Sequence, residues 1–266
     1  FLAHLLEFQL LDWQRPKLSS ENNLTMMTLA GRSKEYYKKN PSYHVEDAEF
    51  KWNNFKNAIL RSKIDFSKFK SIGEIGCGSG QILSLAKKSG LFKETEYVGY
   101  DTNPDAINLA KSLDPSIKYL NEDLINGTIE KKFDILIVSD VFEHVDDYYS
   151  FLQILKKKAK YLIFNIPLQM NLVSLLRRKN IFEISYNQVG HLHFFSNKTA
   201  KLALEKNGYR ILHTAYARNR FFELKKHFTI KKFLIAIPEF LLGLINEDLS
   251  CDIFGGYSLV AITKSD

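Results

Sequence analysis

The hydrophobic positions change period along the chain. Between Ser33 and Arg61, Val45, Ala48, Trp52, Phe55 and Ile59 recur at spacings of three and four, which predicts an amphipathic helix. From Phe69 onward, short apolar runs alternate with helical patterns. Phe69–Ile75, Tyr97–Asp101, Ile117–Leu120, Phe133–Ser139, Tyr161–Ile166, Ile211–Ala215 and Tyr257–Thr263 read as strands. The run FDILIVS at 133–139 is apolar almost throughout, as a strand covered on both faces must be. Gln81–Ser89, Pro104–Ser112, Asp147–Lys158 and Asn197–Asn207 read as helices. Pro104 suits a first helical turn, and Gly208 closes the last of these helices.

Alternation of strand and helix over Phe69–Tyr216 predicts an α/β fold, a doubly wound and mostly parallel sheet with helices on both faces. Right-handed crossovers bring the C-terminal ends of parallel strands to one edge, where ligands bind at the switch in strand order. Pro167–Phe195 and Ala217–Gly256 break the alternation, so helical insertions over that edge are expected at about 167–195 and 217–256. The expected organisation is an N-terminal extension over 1–32 followed by one domain over 33–266. The opening run FLAHLLEFQLLDW carries His4, Glu7 and Asp12, is too short for a membrane span and lacks the basic start of a signal peptide. A chain that opens on Phe1 suggests a fragment or an over-extended reading frame, the latter with residues 1–25 not native and Met26 or Met27 as the natural start.

Composition narrows this picture modestly. The 266 residues are 45% hydrophobic and 25% charged, which is ordinary for a folded domain. Cys77 and Cys251 lie far apart, which excludes a disulfide framework and a zinc finger and points to a reducing, cytoplasmic compartment. The net charge of +7 admits nucleic acid, an acidic membrane surface or a phosphorylated substrate without choosing among them.

The chemistry concentrates in Glu74-Ile75-Gly76-Cys77-Gly78-Ser79-Gly80, between a strand and a helix. Glycines there allow positive φ and close approach of the main chain to a ligand, and the following helix offers free N–H groups. A dinucleotide fingerprint needs its third glycine at position 81, which is Gln81, so a nicotinamide cofactor is disfavoured. Asp101 ends the next strand, where an acid can accept hydrogen bonds from both hydroxyls of a ribose. The plainer alternative is a tight turn with Asp101 as a helix cap.

EIGCGSG, VGYDTNP, NEDL and FDILIVSDVFEHV, in that order, resemble successive motifs of the class I methyltransferases that use S-adenosyl-L-methionine, over roughly residues 45–215. The resemblance implies a Rossmann-like seven-stranded sheet with an antiparallel last strand, Tyr257–Thr263, and S-adenosyl-L-methionine as cofactor. It implies that Glu74, Gly76, Cys77, Gly78 and Gly80 shape the methionine pocket. Asp101 then holds the ribose, with Thr102 and Asn103 along its edge, and Asp123 meets the adenine amino group with Leu124 beside the ring. Asp140 falls near the methyl group.

Acceptor chemistry is expected at His144, just past the fourth strand, and at His191 in GHLHFFS. Either imidazole suits proton removal from a hydroxyl acceptor, and either suits a purely local hydrogen bond. D-x-x-E-H is similar to the E-x-x-E-H cluster of certain metal-assisted methyltransferases. No resident metal is expected, and Asp140, Glu143 and His144 are the candidate ligands that this likeness implies.

EYYKKNPSYHVED, EHVDD, PLQMN and GHLHFFS together resemble a bacterial methyltransferase group of cell-surface glycan gene clusters. That likeness implies O-methylation of a small-molecule, sugar or lipid-linked acceptor. The alternatives are an RNA methyltransferase or a non-catalytic S-adenosylmethionine-binding module. No RNA-binding module is recognisable, so nucleic acid is not the expected partner. Arg218, Arg220, Lys225, Lys226, Lys231 and Lys232 precede the apolar run Phe233–Ile245. Two readings stand for 218–245, peripheral contact with the inner membrane face, or a cap helix buried against the core or a dimer partner. Oligomeric state is not legible.

Overall fold

The computed structural model describes residue 42 and residues 45–123, 131–176 and 181–265. The expected extension over 1–32, the start of the first predicted helix, and Leu124 lie outside the described residues.

Helix α1 (Val45–Arg61) buries Ala48, Trp52, Phe55, Ala58 and Ile59, the stripe read from the 3.6-residue period. The sheet follows with β1 (Ser71–Ile75), β2 (Glu96–Tyr100), β3 (Lys118–Leu120), β4 (Phe133–Ser139), β5 (Ala159–Leu168), β6 (Tyr209–Ala217) and β7 (Tyr257–Ser265). Its spatial order is β3-β2-β1-β4-β5-β7-β6. β7 runs antiparallel to both β5 and β6, and the other pairings are parallel. The chain winds outward through β1, β2 and β3, then returns to place β4 against β1. That reversal is the switch point, where two loops diverge and leave room for a ligand.

Helices α2 (Gln81–Lys88), α3 (Pro104–Leu113), α4 (Tyr148–Lys158) and α7 (Asn197–Lys206) cover the sheet. Successive residues of β4 divide between the faces, because side chains alternate along a strand. Leu136 and Val138 pack with Phe151, Leu152 and Leu155 of α4, whereas Ile135 and Ile137 pack with α1 and α2. Every residue of β4 except Asp134 is buried.

Strand β5 extends beyond the expected 161–166, because β7 pairs with it from Tyr161 to Leu168. Past its end lie α5 (Leu172–Leu176) and α6 (Ile181–Val189), and Phe195 bridges back to Leu168. The second irregular stretch holds α8 (Asn219–Lys226), α9 (Ile230–Ile245) and α10 (Glu247–Phe254). It leaves the end of β6 and returns to the start of β7, at the edge where β1 and β4 also end. Phe222 stacks on Phe50 of α1 with centroids 4.3 Å apart, so this insertion leans on the helix that precedes the sheet.

The basic residues before the apolar run differ from a simple solvated patch. Arg220 pairs with the buried Glu239, Arg218 with Glu247 at 2.8 Å, Lys226 with Asp47, and Lys232 with Glu223 at 3.5 Å. Helix α9 is not buried against the core, because it buries only Ala236, Glu239 and Gly243. Ile230, Phe233, Leu234, Ile237, Leu241 and Leu244 are exposed. No helix among the described residues is long and apolar enough to cross a membrane.

Candidate active site

The glycine loop is built as its residue types require. Gly76, Gly78 and Gly80 have φ of 64°, 52° and 70°, a region that disfavours any residue with a Cβ. A Cβ at Gly80 meets the Tyr119 ring at 2.5 Å, and one at Gly76 meets Val141 Cγ2 at 2.8 Å. Tyr119 braces the loop from β3, its hydroxyl donating to Gly80 O at 3.1 Å.

Asp101 ties this loop to the next one. Gly78 N donates to Asp101 Oδ2 at 2.9 Å, and Asn103 N donates to Asp101 Oδ1 at 2.8 Å. Asp101 is not the helix cap. That role belongs to Asn103, whose side chain accepts from Asp105 N at 2.8 Å and Ala106 N at 3.3 Å. Asn121 Nδ2 donates to Asp101 O at 2.9 Å, which draws the segment carrying the half-buried Asp123 alongside. Thr102 is half-buried between Asp101 and Asn103.

The Cys77 side chain packs towards β2, its Sγ 2.9 Å from where a Cβ on Gly99 would stand. It is buried in the core beside Ile72 and Tyr119, so only the main chain of Cys77 remains for a ligand. Burial pushes its thiol pKa well up, and the Asp101 and Glu74 charges add to that. Glu74 is 1% exposed, and its Oε2 has no hydrogen-bond partner. Burial raises its carboxyl well above the usual range, against the opposing charge of Lys51.

Across the switch point, Asp140 sits at φ 53°, an uncommon backbone for a residue with a side chain. Two contacts to β5 hold it there. Asp140 N donates to Asn165 O at 3.0 Å, and Asn165 Nδ2 donates to both carboxylate oxygens at 2.9 and 3.0 Å. Lys51 Nζ of α1 lies 2.9 Å from Asp140 Oδ2. Burial acts to raise the Asp140 carboxyl, but Lys51, Asn165 and Ser139 outweigh it and hold it below its ordinary value.

Beyond Asp140 a short turn, Phe142–His144, carries the next groups. Glu143 is fully buried, and neither carboxylate oxygen has a partner. Burial first, then the Asp140 charge, pushes its carboxyl well up. The main-chain oxygen of Glu143 accepts from Leu192 N at 2.8 Å and His193 N at 3.1 Å, which docks the GHLH segment against the turn. His144 and His191 consequently meet edge to face, with ring centroids 4.7 Å apart.

His144 Nδ1 lies 3.1 Å from Gly190 O, and His191 Nδ1 lies 2.7 Å from Gln169 Oε1. Burial, with His144 nearby, lowers the His191 pKa to about 3. His193 instead meets main-chain carbonyls of the preceding turn, its Nε2 lying 2.9 Å from Val145 O. The grouping of potential ligand atoms also departs from expectation. Glu143, His144 and His191 bring one such atom each within 4.8 Å of one another, whereas Asp140 is engaged by Lys51 and Asn165.

Lys51, Asn165, Gln169 and Tyr119 were not among the residues that sequence motifs single out. Lys51 lies within a helix read only for its apolar stripe, and Gln169 within PLQMN, where no role is readable before folding.

A glycine loop, a strand-end acid locked to it, and a seven-stranded sheet with one antiparallel strand together define the class of S-adenosylmethionine-dependent methyltransferases. The family described as "Methyltransferase domain" matches residues 54–214, more than half of the chain, and the chain belongs to that family. The chain is 28% identical over 98 residues to a curated protein of Invertebrate iridescent virus 6 named as a methyltransferase, 235L. That match covers 37% of this chain, and the chain spans only about a third, 36%, of the length of that relative.

Among solved structures, a SAM-dependent methyltransferase from Archaeoglobus fulgidus is similar with a TM-score of 0.53 at 21% identity. It covers 84% of this chain and 99% of its own. The N-methyltransferase NodS from Bradyrhizobium japonicum WM9, in complex with S-adenosyl-L-homocysteine, is similar with a TM-score of 0.55 at 13% identity, over 88% of this chain and 98% of its own. At these identities the likeness establishes the fold.

Proposed function

We propose that the protein transfers a methyl group from S-adenosyl-L-methionine to an oxygen of a small-molecule, sugar or lipid-linked acceptor. The observation that carries this reading is the Asp101 bridge to Gly78, which sets a carboxylate and a bare main-chain turn side by side at the switch point. The residues fit the cofactor. The partnerless Oε2 of Glu74 suits the cationic, N–H-rich methionine end, and the positive-φ glycines leave the main chain accessible. Gly76, Cys77 and Gly80 would add main-chain contacts there. Asp101 would hold the ribose hydroxyls, with Thr102 and Asn103 at its edge. Asp123 would meet the adenine, and Asp140 would stand beside the methionine end.

When bound, the cofactor supplies a methyl group already activated on a sulfonium. The protein's own task is then alignment and exclusion of water, which is worth several orders of magnitude in rate. Lys51 and Asn165 keep the Asp140 turn in place, and Glu143, His144 and His191 stand next along the chain and across the turn as the acceptor side. Titration of the full chain with S-adenosyl-L-homocysteine, followed by turnover against hydroxyl acceptors and against RNA, tests the reading. No binding heat and no thermal shift would overturn it. Binding without turnover on any hydroxyl pool would favour a non-catalytic module instead.

A second observation bears on the acceptor. Helix α9 exposes apolar side chains and carries the exposed Lys231 in its first turn, with the exposed Lys225 near the end of α8. Exposed apolar residues with lysines close by in sequence suit the headgroup boundary of an anionic bilayer, where lipid-linked acceptors reside. Cytoplasmic placement with such peripheral contact is the corresponding expectation for location.

A further inference from the structure

We infer that Glu143, His144 and His191 form a binding site for one divalent ion of the zinc, iron, cobalt or manganese type. The first observation is the partnerless carboxylate. Glu143 is fully buried, with both oxygens lacking hydrogen bonds, an arrangement that is strongly unfavourable for a charged group unless a cation compensates it. The second is proximity. One ligand atom from each of the three residues lies within 4.8 Å of the others. An ion with bonds of about 2.1 Å sets its ligand atoms roughly 3–4 Å apart, so small side-chain rotations close the three around it.

The third observation is the support behind the ligands. A metal-bound histidine generally donates its other ring N–H to an oxygen, which fixes tautomer and orientation. Both histidines have that partner. His144 Nδ1 faces Gly190 O at 3.1 Å, and His191 Nδ1 faces Gln169 Oε1 at 2.7 Å. Gln169 is itself oriented, since its Nε2 donates to Ser185 Oγ at 3.0 Å and so turns Oε1 towards His191. With Nδ1 donating, each ring carries its lone pair on Nε2, the form a metal requires.

Two imidazoles and one carboxylate select borderline transition ions over magnesium or calcium, which take all-oxygen shells. Asp140 is not part of this set, because Lys51 and Asn165 occupy it. Three protein ligands leave positions open for an oxygen of the acceptor or for water. That last role rests on the methyl-transfer reading, whereas the ion site itself does not.

The test uses the full chain after chelator treatment, titrated calorimetrically with zinc chloride and, in parallel, magnesium chloride. The expected result is one zinc per chain with a dissociation constant in the micromolar range or below, and no heat from magnesium. Glu143→Gln and His191→Asn should each weaken zinc binding at least ~10-fold, and Gln169→Ala by roughly 10- to 100-fold through the freed His191 ring. Zinc should raise the melting temperature of the wild type and not that of Glu143→Gln. Affinity for S-adenosyl-L-homocysteine, read separately, should persist in every variant, which separates this site from the cofactor reading. Should Glu143→Gln not fold, His191→Asn and Gln169→Ala decide the matter. Absence of a zinc equivalent in the wild type, or wild-type zinc affinity in the folded variants, overturns the proposal.

Discussion

Lys51 Nζ lies 2.9 Å from Asp140 Oδ2, so the helix that precedes the sheet is tied to the turn that follows its fourth strand. Both side chains are largely withdrawn from water, at 19% and 25% exposure. Removing one partner of such a pair leaves the other charge poorly compensated. Lys51→Met should destabilise the protein by about 2 kcal/mol, between the values for exposed and fully buried pairs. Urea unfolding of Lys51→Met, Asp140→Asn and the double variant checks this. Additive losses would show that the two residues do not interact.

Gly80 tests the loop geometry. Its φ of 70° and the Tyr119 ring 2.5 Å from a Cβ oppose substitution by two separate means. Gly80→Ala should lose roughly 2 kcal/mol or more of stability and weaken S-adenosyl-L-homocysteine binding markedly. Tyr119→Leu in the same chain should recover only the steric part. Full recovery in a thermal melt would mean that the backbone conformation is not strained.

Asp101 accepts main-chain N–H groups on both oxygens, from Gly78 and from Asn103. An amide offers one acceptor oxygen and sets an NH2 against the other donor. Asp101→Asn should therefore lower ligand affinity by about 10- to 100-fold, the equivalent of one lost charge-assisted hydrogen bond. Calorimetry with S-adenosyl-L-homocysteine measures it, and an unchanged affinity would detach Asp101 from the site.

Both cysteines are buried, Cys77 at 6% and Cys251 at 2% exposure, and burial is the leading cause that raises each thiol pKa. A raised pKa keeps the thiol protonated and unreactive at pH 8, since the thiolate is the nucleophile. The folded protein should ignore a thiol-disulfide dye at that pH, and the urea-unfolded chain should react at both positions. Rapid labelling of Cys77 in the folded state would place it on the surface of the loop.

The exposed face of α9 predicts association with vesicles containing acidic phospholipid, lost in Leu234→Asp/Leu241→Asp. Co-sedimentation reads the first, and light scattering of the free protein reads the competing outcome. A stable dimer that the same double substitution dissolves would assign the face to a second copy of the chain.

Much of this molecule is readable before folding because periodicity is a local property. The β4 run came out residue for residue, and the helices and strands of the central fold shifted by a residue or two at most ends. β5 and β6 ran longer, since a ladder partner far along the chain decides where a strand stops. The glycine loop and Asp101 were legible for a similar reason, because strand, turn and helix chemistry is written in adjacent residues.

The acceptor side was legible only in fragments. His144 and His191 stand out by residue type, but nothing local says that Gly190 O and Gln169 Oε1 fix their rings. The same holds for α9, whose apolar run suits a buried helix as well as an exposed one until its neighbours are known.

The sequence by itself determined the order of elements, the α/β class and the family, since these follow from hydrophobic period and turn residues a few positions apart. Only the tertiary structure decided that Lys51 occupies Asp140, that Glu143 lies buried without a partner, and that His144 meets His191. Charge compensation and ligand geometry depend on distances of a few ångströms between groups up to ~90 positions apart, and packing of the whole sheet sets those distances.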